Sequence, residues 1–194
     1  GEKISAVIPI QNFAEGKYLL MGTKSGLIKK TQLQEYDSAR TTGLLAITLK
    51  DDDELIDVRL TDGQDNVVMV TKKGLAITFS EKDVRSVGRT AQGVIGIRLD
   101  EGDEVIGMES IIENSKATLL SITEHGFGKR TELDEYRVQN RGGRGVLTYK
   151  ITPKTGDIVG IRIATGEEDV MLITDKGTII RLKVKEISVL GRST

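Results

Sequence analysis

An all-β fold assembled from repeated four-stranded units is what this sequence predicts, on three observations. The pattern T-x-x-G recurs at Thr23–Gly26, Thr71–Gly74, Thr123–Gly126 and Thr174–Gly177, with the glycines 48, 52 and 51 residues apart. Apolar runs rich in strand-forming residues flank every copy. Helical periodicity is weak throughout; SEKDV and LDEY leave room for a turn of helix at most.

Each element of the repeat follows in order. The runs YLLMG, NVVMV, ATLLSI and DVMLI precede the four turns, and runs such as GLIKKT and GTIIRL follow them, so every copy reads as strand, tight turn, strand. Ten residues beyond each turn glycine stands Tyr36, Val84, Tyr136 or Ile187. A basic, glycine-containing loop comes next: ARTTG, GRTAQG, NRGGRG, then GRST. LLAITL, VIGIRL and VLTYKI predict a further strand in three copies, and an acidic connector leads to a fourth in DELIDV, DEVIGM or DIVGI. Four strands in about 50 residues is the size of one propeller-type blade. A sheet that small cannot bury both faces alone, so residues 1–194 are expected to form one continuous stacked domain.

Composition bounds the function. The hydrophobic fraction is 38%, the charged fraction 29%, and no apolar run approaches the roughly 18 residues of a membrane span. Nothing at the start reads as a signal peptide. The absence of cysteine removes disulfides and thiolate metal sites, a lone histidine leaves little for an imidazole site, and a reducing cytoplasm is expected. The 22 glycines in 194 residues exceed the usual roughly 7% and imply many tight turns.

The repeat supplies its own alignment for weighing single residues. Tyr36 and Tyr136 invite a catalytic reading, but Val84 and Ile187 stand in the same place, so the position belongs to the core. His125 matches Ser25, Lys73 and Lys176 and reads as an exposed turn residue. The acidic connectors Asp51–Glu54 and Asp100–Glu104 lack calcium-loop spacing and read as solvated. No catalytic residue, metal site or cofactor is expected: there is no nucleophile with a base partner and no Walker-type loop.

Charge is segregated. The net charge is −1, yet residues 23–43, 71–93, 123–145 and 174–194 together carry nineteen basic and ten acidic residues, leaving the rest at −10. Equivalent positions in a ring of blades lie on equivalent surfaces, so a basic segment per copy predicts a basic band, the footprint of a nucleic-acid surface. Its members are Lys24, Lys29, Lys30 and Arg40; Lys72, Lys73, Arg85 and Arg89; Lys129, Arg130, Arg141 and Arg144; and Lys176, Arg181, Lys183 and Arg192. In QNRGGRG, Gln139–Gly145, two arginines flank a glycine pair, so the loop can turn tightly, offer backbone amides to phosphate and point Arg141 and Arg144 outward. Aromatic residues are few and there is no recognition helix, which disfavours single-strand or base-edge readers and leaves backbone contact to duplex DNA. A protein-binding propeller of kelch or WD type would carry a tryptophan-rich signature that is missing here.

The stretches GLIKKTQLQEY, VRSVGRTAQGVIGIRLDEGDEVIG, GFGKRTELDEYRVQNRGGRGV and MLITDKGTIIRLKVKEISVLGR resemble successive blades of the C-terminal domain of the DNA gyrase A subunit, over essentially the whole chain. The resemblance implies a β-pinwheel, a propeller-like ring of six blades that exchange strands, here truncated, with DNA wrapped around the outer edge. It implies a non-catalytic role in an ATP-hydrolysing type IIA topoisomerase. The implied partners are duplex DNA, the rest of the A subunit, and the gyrase B subunit; no membrane is implied. The related domain of the topoisomerase IV A subunit is the alternative. The family's basic box heptapeptide is matched by Gln139, Arg141, Gly142, Gly143, Arg144 and Gly145, but Asn140 stands where a basic residue is usual. The loop therefore reads as a box-like paralogue, with the box itself expected upstream of Gly1 and the fragment expected to bind and bend DNA without completing the wrap.

Overall fold

The computed structural model describes residues 4–38, 42–112 and 115–194. Its strands are β1 (Tyr18–Thr23), β2 (Leu27–Gln32), β3 (Leu55–Thr61), β4 (Asn66–Thr71), β5 (Leu75–Ser80), β6 (Val94–Ile95), β7 (Val105–Ile111), β8 (Thr118–Thr123), β9 (Gly128–Glu132), β10 (Val146–Leu147), β11 (Ile158–Ala164), β12 (Asp169–Ile173) and β13 (Ile179–Lys183). Among the described residues the only helical elements are four single 3-10 turns: Leu33–Tyr36, Glu81–Asp83, Leu133–Glu135 and Val184–Glu186. None is long and apolar enough to cross a membrane.

The T-x-x-G motif closes each hairpin for a local reason. Gly26 takes a φ of 89° at the turn, and its N–H donates to Thr23 O at 3.0 Å. The Thr23 hydroxyl accepts Leu27 N–H at 3.2 Å, as Thr71 accepts Leu75 N–H at 3.1 Å and Thr174 accepts Thr178 N–H at 3.0 Å. A Cβ on Gly26 would also lie 2.6 Å from Ile97 O, so the turn is closed to side chains twice over.

The hairpins assemble into antiparallel sheets ordered β3-β1-β2-β6, β10-β5-β4-β7, β11-β8-β9 and β12-β13. The short strands β6 and β10 pair with the hairpin of the preceding repeat, Val94 opposite Ile28 and Val146 opposite Ala76. This exchange makes the fold a β-pinwheel. It also corrects the expected third strand: of VIGIRL and VLTYKI only Val94–Ile95 and Val146–Leu147 are strand, and LLAITL forms none. The segment is spent on crossing to its neighbour, and only its first residues run along β2 or β5.

Stacking buries both faces of the middle sheets. Along β4, Val67 and Met69 pack with Leu20, Ile28 and Met108, while Val68 and Val70 pack with Leu119, Ile158 and Ile161. This is the period-2 alternation of a strand buried on both sides, which is why NVVMV reads as one apolar run. Tyr136 is buried and Tyr36 half-buried within such cores, as their alternation with Val84 and Ile187 predicts. The innermost strands β3, β7 and β11 lie side by side, linked by Arg59 Nε to Glu109 Oε2 at 3.0 Å and Arg162 Nη1 to Glu109 Oε1 at 3.6 Å. The hairpin β12–β13 is largely exposed, Met171, Ile173 and Ile179 included.

Candidate nucleic-acid interface

The basic loops of the second, third and fourth repeats each lie on the repeat before them. After its 3-10 turn the chain runs along the outer edge of the preceding hairpin, where Val87 N–H donates to Lys30 O at 2.9 Å, Gln139 N–H to Thr78 O at 2.9 Å and Leu190 N–H to Arg130 O at 2.8 Å. One arginine per loop then reaches back. Arg89 Nη1 donates to Leu45 O, Arg141 Nη1 to Ile95 O at 3.0 Å and Arg192 Nη1 to Leu147 O at 2.8 Å. Leu45, Ile95 and Leu147 each stand two residues past the loop glycine of their own repeat, so successive loops are tied into one continuous outer edge.

In the loop 139–145 Gly142 and Gly145 both take a φ of 78°, and a Cβ on Gly145 would meet Ala76 O. The two arginines differ. Arg144 is exposed and pairs with Asp100, whereas Arg141 also donates from Nε to Asp83 O at 3.0 Å, so its guanidinium is committed to the neighbouring repeat instead of pointing freely outward. Gln139 is half-buried, its N–H in the edge pairing.

Burial corrects several members of the expected band. Lys29 is 1% exposed and Lys129 2%. Lys29 Nζ donates to Ala46 O at 2.6 Å and to Arg89 O; Lys129 Nζ donates to Gly191 O at 2.7 Å and to Arg192 O and Thr194 O at 3.0 Å. Burial pushes both ammonium groups down to about 8. Lys30 is also buried, its Nζ donating to Glu81 O at 2.7 Å beside the Tyr18 ring, and burial lowers its pKa as well. Arg130 Nε donates to Ile187 O at 2.8 Å. These four cations face carbonyls of the repeat that follows, and because neighbouring strand residues point to opposite faces they meet different ones: Lys29 and Lys129 the basic loop, Lys30 and Arg130 the 3-10 turn before it.

The turn lysines belong to another surface. Lys24 lies 3.4 Å from Glu54 and 3.5 Å from Glu104, and Lys72 3.8 Å from Glu104 and 3.9 Å from Asp157. The hydrogen bond from Lys24 to Glu54 leads the causes that raise the lysine's pKa. Asp53 accepts Ser25 N–H at 2.8 Å and Asp103 accepts Lys73 N–H at 3.0 Å, while Lys73 Nζ donates to Glu101 O at 3.1 Å. The acidic connectors Asp51–Glu54 and Asp100–Glu104, expected to be merely solvated, thus brace and partly neutralise the turns Thr23–Gly26 and Thr71–Gly74. Lys176, Arg181 and Lys183 are exposed on the last hairpin, Arg181 paired with Asp169. His125 is exposed. Arg40 lies outside the described residues.

The edge that remains carries exposed Arg85 and Arg144 and half-buried Arg89, Arg141 and Arg192. Sequence reasoning missed Arg137, exposed and in register with Arg85, and Arg98, whose N–H joins Gly143 O at 2.8 Å beside the box-like loop. The repeat register could have found Arg137; Arg98 enters only through strand exchange. One carboxylate oxygen from each of Asp62, Asp65 and Glu81 lies within 4.8 Å of the others. Both Glu81 oxygens are engaged, by the Thr61 hydroxyl at 2.8 Å and by Asp65 N–H at 2.8 Å, and burial with Glu81 beside it raises the Asp65 pKa.

Strand-exchanging blades with a basic outer edge define the β-pinwheel class. The model of the family "DNA gyrase C-terminal domain, beta-propeller" matches residues 17–62, 65–112, 117–165 and 168–194, and the chain belongs to that family. The A subunit of DNA gyrase from Staphylococcus aureus (strain NCTC 8325) is 44% identical over 193 residues, covering 99% of this chain and 22% of the relative. The chain thus spans less than a quarter of the length of the curated relatives it matches. Among solved structures, the C-terminal domain of DNA topoisomerase IV superposes with a TM-score of 0.90 at 34% identity, covering 96% of this chain and 58% of that one. The DNA gyrase A C-terminal domain superposes with a TM-score of 0.85 at 27% identity, covering 95% and 61%.

Proposed function

We propose that this chain binds duplex DNA along its outer edge, without strong sequence preference, and bends it. It does so as a non-catalytic part of a gyrase A subunit that works with the gyrase B subunit in ATP-driven negative supercoiling in the cytoplasm. The observation that carries the reading is the chain of three loops bearing Arg89, Arg141 and Arg192, each tied to the repeat before it. A rigid, curved row of cations can hold a duplex at several points only if the duplex curves with it. DNA strand cleavage and ATP hydrolysis are assigned to the rest of the holoenzyme.

Phosphate contacts of this kind release counterions, so affinity should fall by orders of magnitude between about 50 and 200 mM salt. Bending a 20–30 base-pair site by 40–90° costs on the order of 1–6 kcal/mol, which further loop contacts must offset, so long duplexes should outcompete short ones. Fluorophores at the ends of a long duplex should approach each other on binding. Energy transfer that stays at its free-DNA value under saturating protein would reduce the reading to one-site binding.

The TM-score of 0.90 and 34% identity to the topoisomerase IV domain favour a second reading, in which the chain is part of a topoisomerase IV. Introduction of negative supercoils by the whole protein supports the first; decatenation and relaxation without supercoiling would support the second.

A further inference from the structure

Six residues past the turn threonine stand Lys29, Ile77, Lys129 and Ile180 in the four repeats, and the core position seven further on tracks them as Tyr36, Val84, Tyr136 and Ile187. The seat under the loop therefore comes in two kinds. Lysine seats receive loops with Gly-Arg followed by Thr or Ser, at residues 88–90 and 191–193; the Ile77 seat receives the glycine-rich loop 139–145.

At a lysine seat the arginine's own peptide is held from both ends. Glu35 Oε2 accepts Arg89 N–H at 2.7 Å while Lys29 takes Arg89 O, and Glu135 Oε2 accepts Arg192 N–H at 2.9 Å while Lys129 takes Arg192 O at 3.0 Å. Burying an ammonium costs several kcal/mol unless polar groups surround it. The second repeat builds the same sheet over isoleucine, so folding does not require the charge. What the lysine does require, and organises, is a fixed set of carbonyls: Ala46 O and Arg89 O around Lys29, and Gly191 O, Arg192 O and Thr194 O around Lys129.

We propose that Lys29 and Lys129 are positioning residues for DNA binding: each holds, from inside the sheet, the Gly-Arg loop that presents Arg89 or Arg192 at the outer edge. The inference rests on the duplex-binding reading above. Neither lysine touches the duplex. The charged and titratable groups around Lys29 are Glu35, Arg89 and Tyr36; those around Lys129 are Glu135, Arg192 and the Tyr149 ring, 4.9 Å from its Nζ.

Two variants of the chain test this. Lys129→Met removes one ammonium; the triple change Lys29→Ile, Glu35→Asp, Tyr36→Val copies the seat of the second repeat, which folds. A long duplex is titrated at several salt concentrations, between about pH 7 and 9, where a group held near 8 exchanges its proton. Each variant should lose about tenfold in affinity at neutral pH, the equivalent of one charge-assisted hydrogen bond. Its slope of log affinity against log salt should be shallower by about one. The parent should lose affinity as pH rises through this window, with a smaller step in each variant. Variants that match the parent in affinity, slope and pH step overturn the positioning role alone. A parent that fails to bind duplex overturns the duplex-binding reading and this inference with it.

Discussion

The loop over Ile77 and the loop over Lys29 occupy the same place in neighbouring repeats and are held by opposite chemistry. Over isoleucine the chain comes down onto an apolar seat, where a Cβ on Gly143 would stand 3.6 Å from Ile77 Cδ1, and its shape comes from Gly142 and Gly145 at positive φ. Over lysine the loop has one positive-φ glycine, Gly93, and Arg89 O of the loop meets an ammonium that Ala46 O also holds. Backbone freedom and ion coordination are thus alternative ways to fix a rim loop. They fail under different insults: the first to an added methyl group, the second to lost charge.

The largest expected effect is on the apolar seat. Ile77→Ala removes a fully buried side chain from the core it shares with Leu20, Ile28 and Met69 and should cost about 2–5 kcal/mol in urea or thermal unfolding. Gly145→Ala should cost about 1–3 kcal/mol, from the left-handed φ alone, and more where Ala76 O cannot yield. A variant that matches the parent in unfolding would show that glycine does not shape this loop.

The two arginines of the loop sharpen the contrast between holding and presenting. Arg141→Ala breaks bonds to Asp83 O and Ile95 O and should lower stability by about 1–2 kcal/mol. Arg144→Ala removes an exposed ion pair and should stay within about ±0.5 kcal/mol. On DNA the order reverses, with Arg144→Ala lowering the salt slope by about one. Equal stability losses would mean that Arg144 is as structural as its neighbour.

A further effect concerns pH. Lys29 and Lys129 sit at about 8 when folded, below the ordinary 10.5, so between these values the unfolded chain binds more protons. Their contribution to stability therefore rises as pH increases from about 8 toward 10.5 and is lost as pH falls through 8. The denaturation midpoint of the parent should carry this rise relative to the double variant Lys29→Met, Lys129→Met, even while DNA affinity declines over the same range. Parallel curves would place the two lysines in water.

Much of the fold was legible because it is local. Thr23 and Gly26 close a turn through bonds within five residues, and the apolar runs NVVMV and ATLLSI announce strands buried on both faces whichever partners they meet. The alternation of Tyr36 with Val84 marked a core position without any knowledge of neighbours. The basic band was legible only as an excess of charge. Its division into buried seats, braced turns and an exposed edge was not, because Lys29 and Lys24 differ in what another repeat lays over them.

Residue pattern alone thus decides where the hairpins form, where they turn and which segments are basic, since turn chemistry and period-2 burial act over a few residues. Which cations reach solvent was decided by strand exchange. The loop of residues 88–93 crosses onto β2, covers Lys29 and leaves Arg89 at the edge. The partner that turns a surface lysine into a buried one lies 60 residues away in the chain. Burial of a charge depends on that partner's carbonyls, and no local pattern around Lys29 records them.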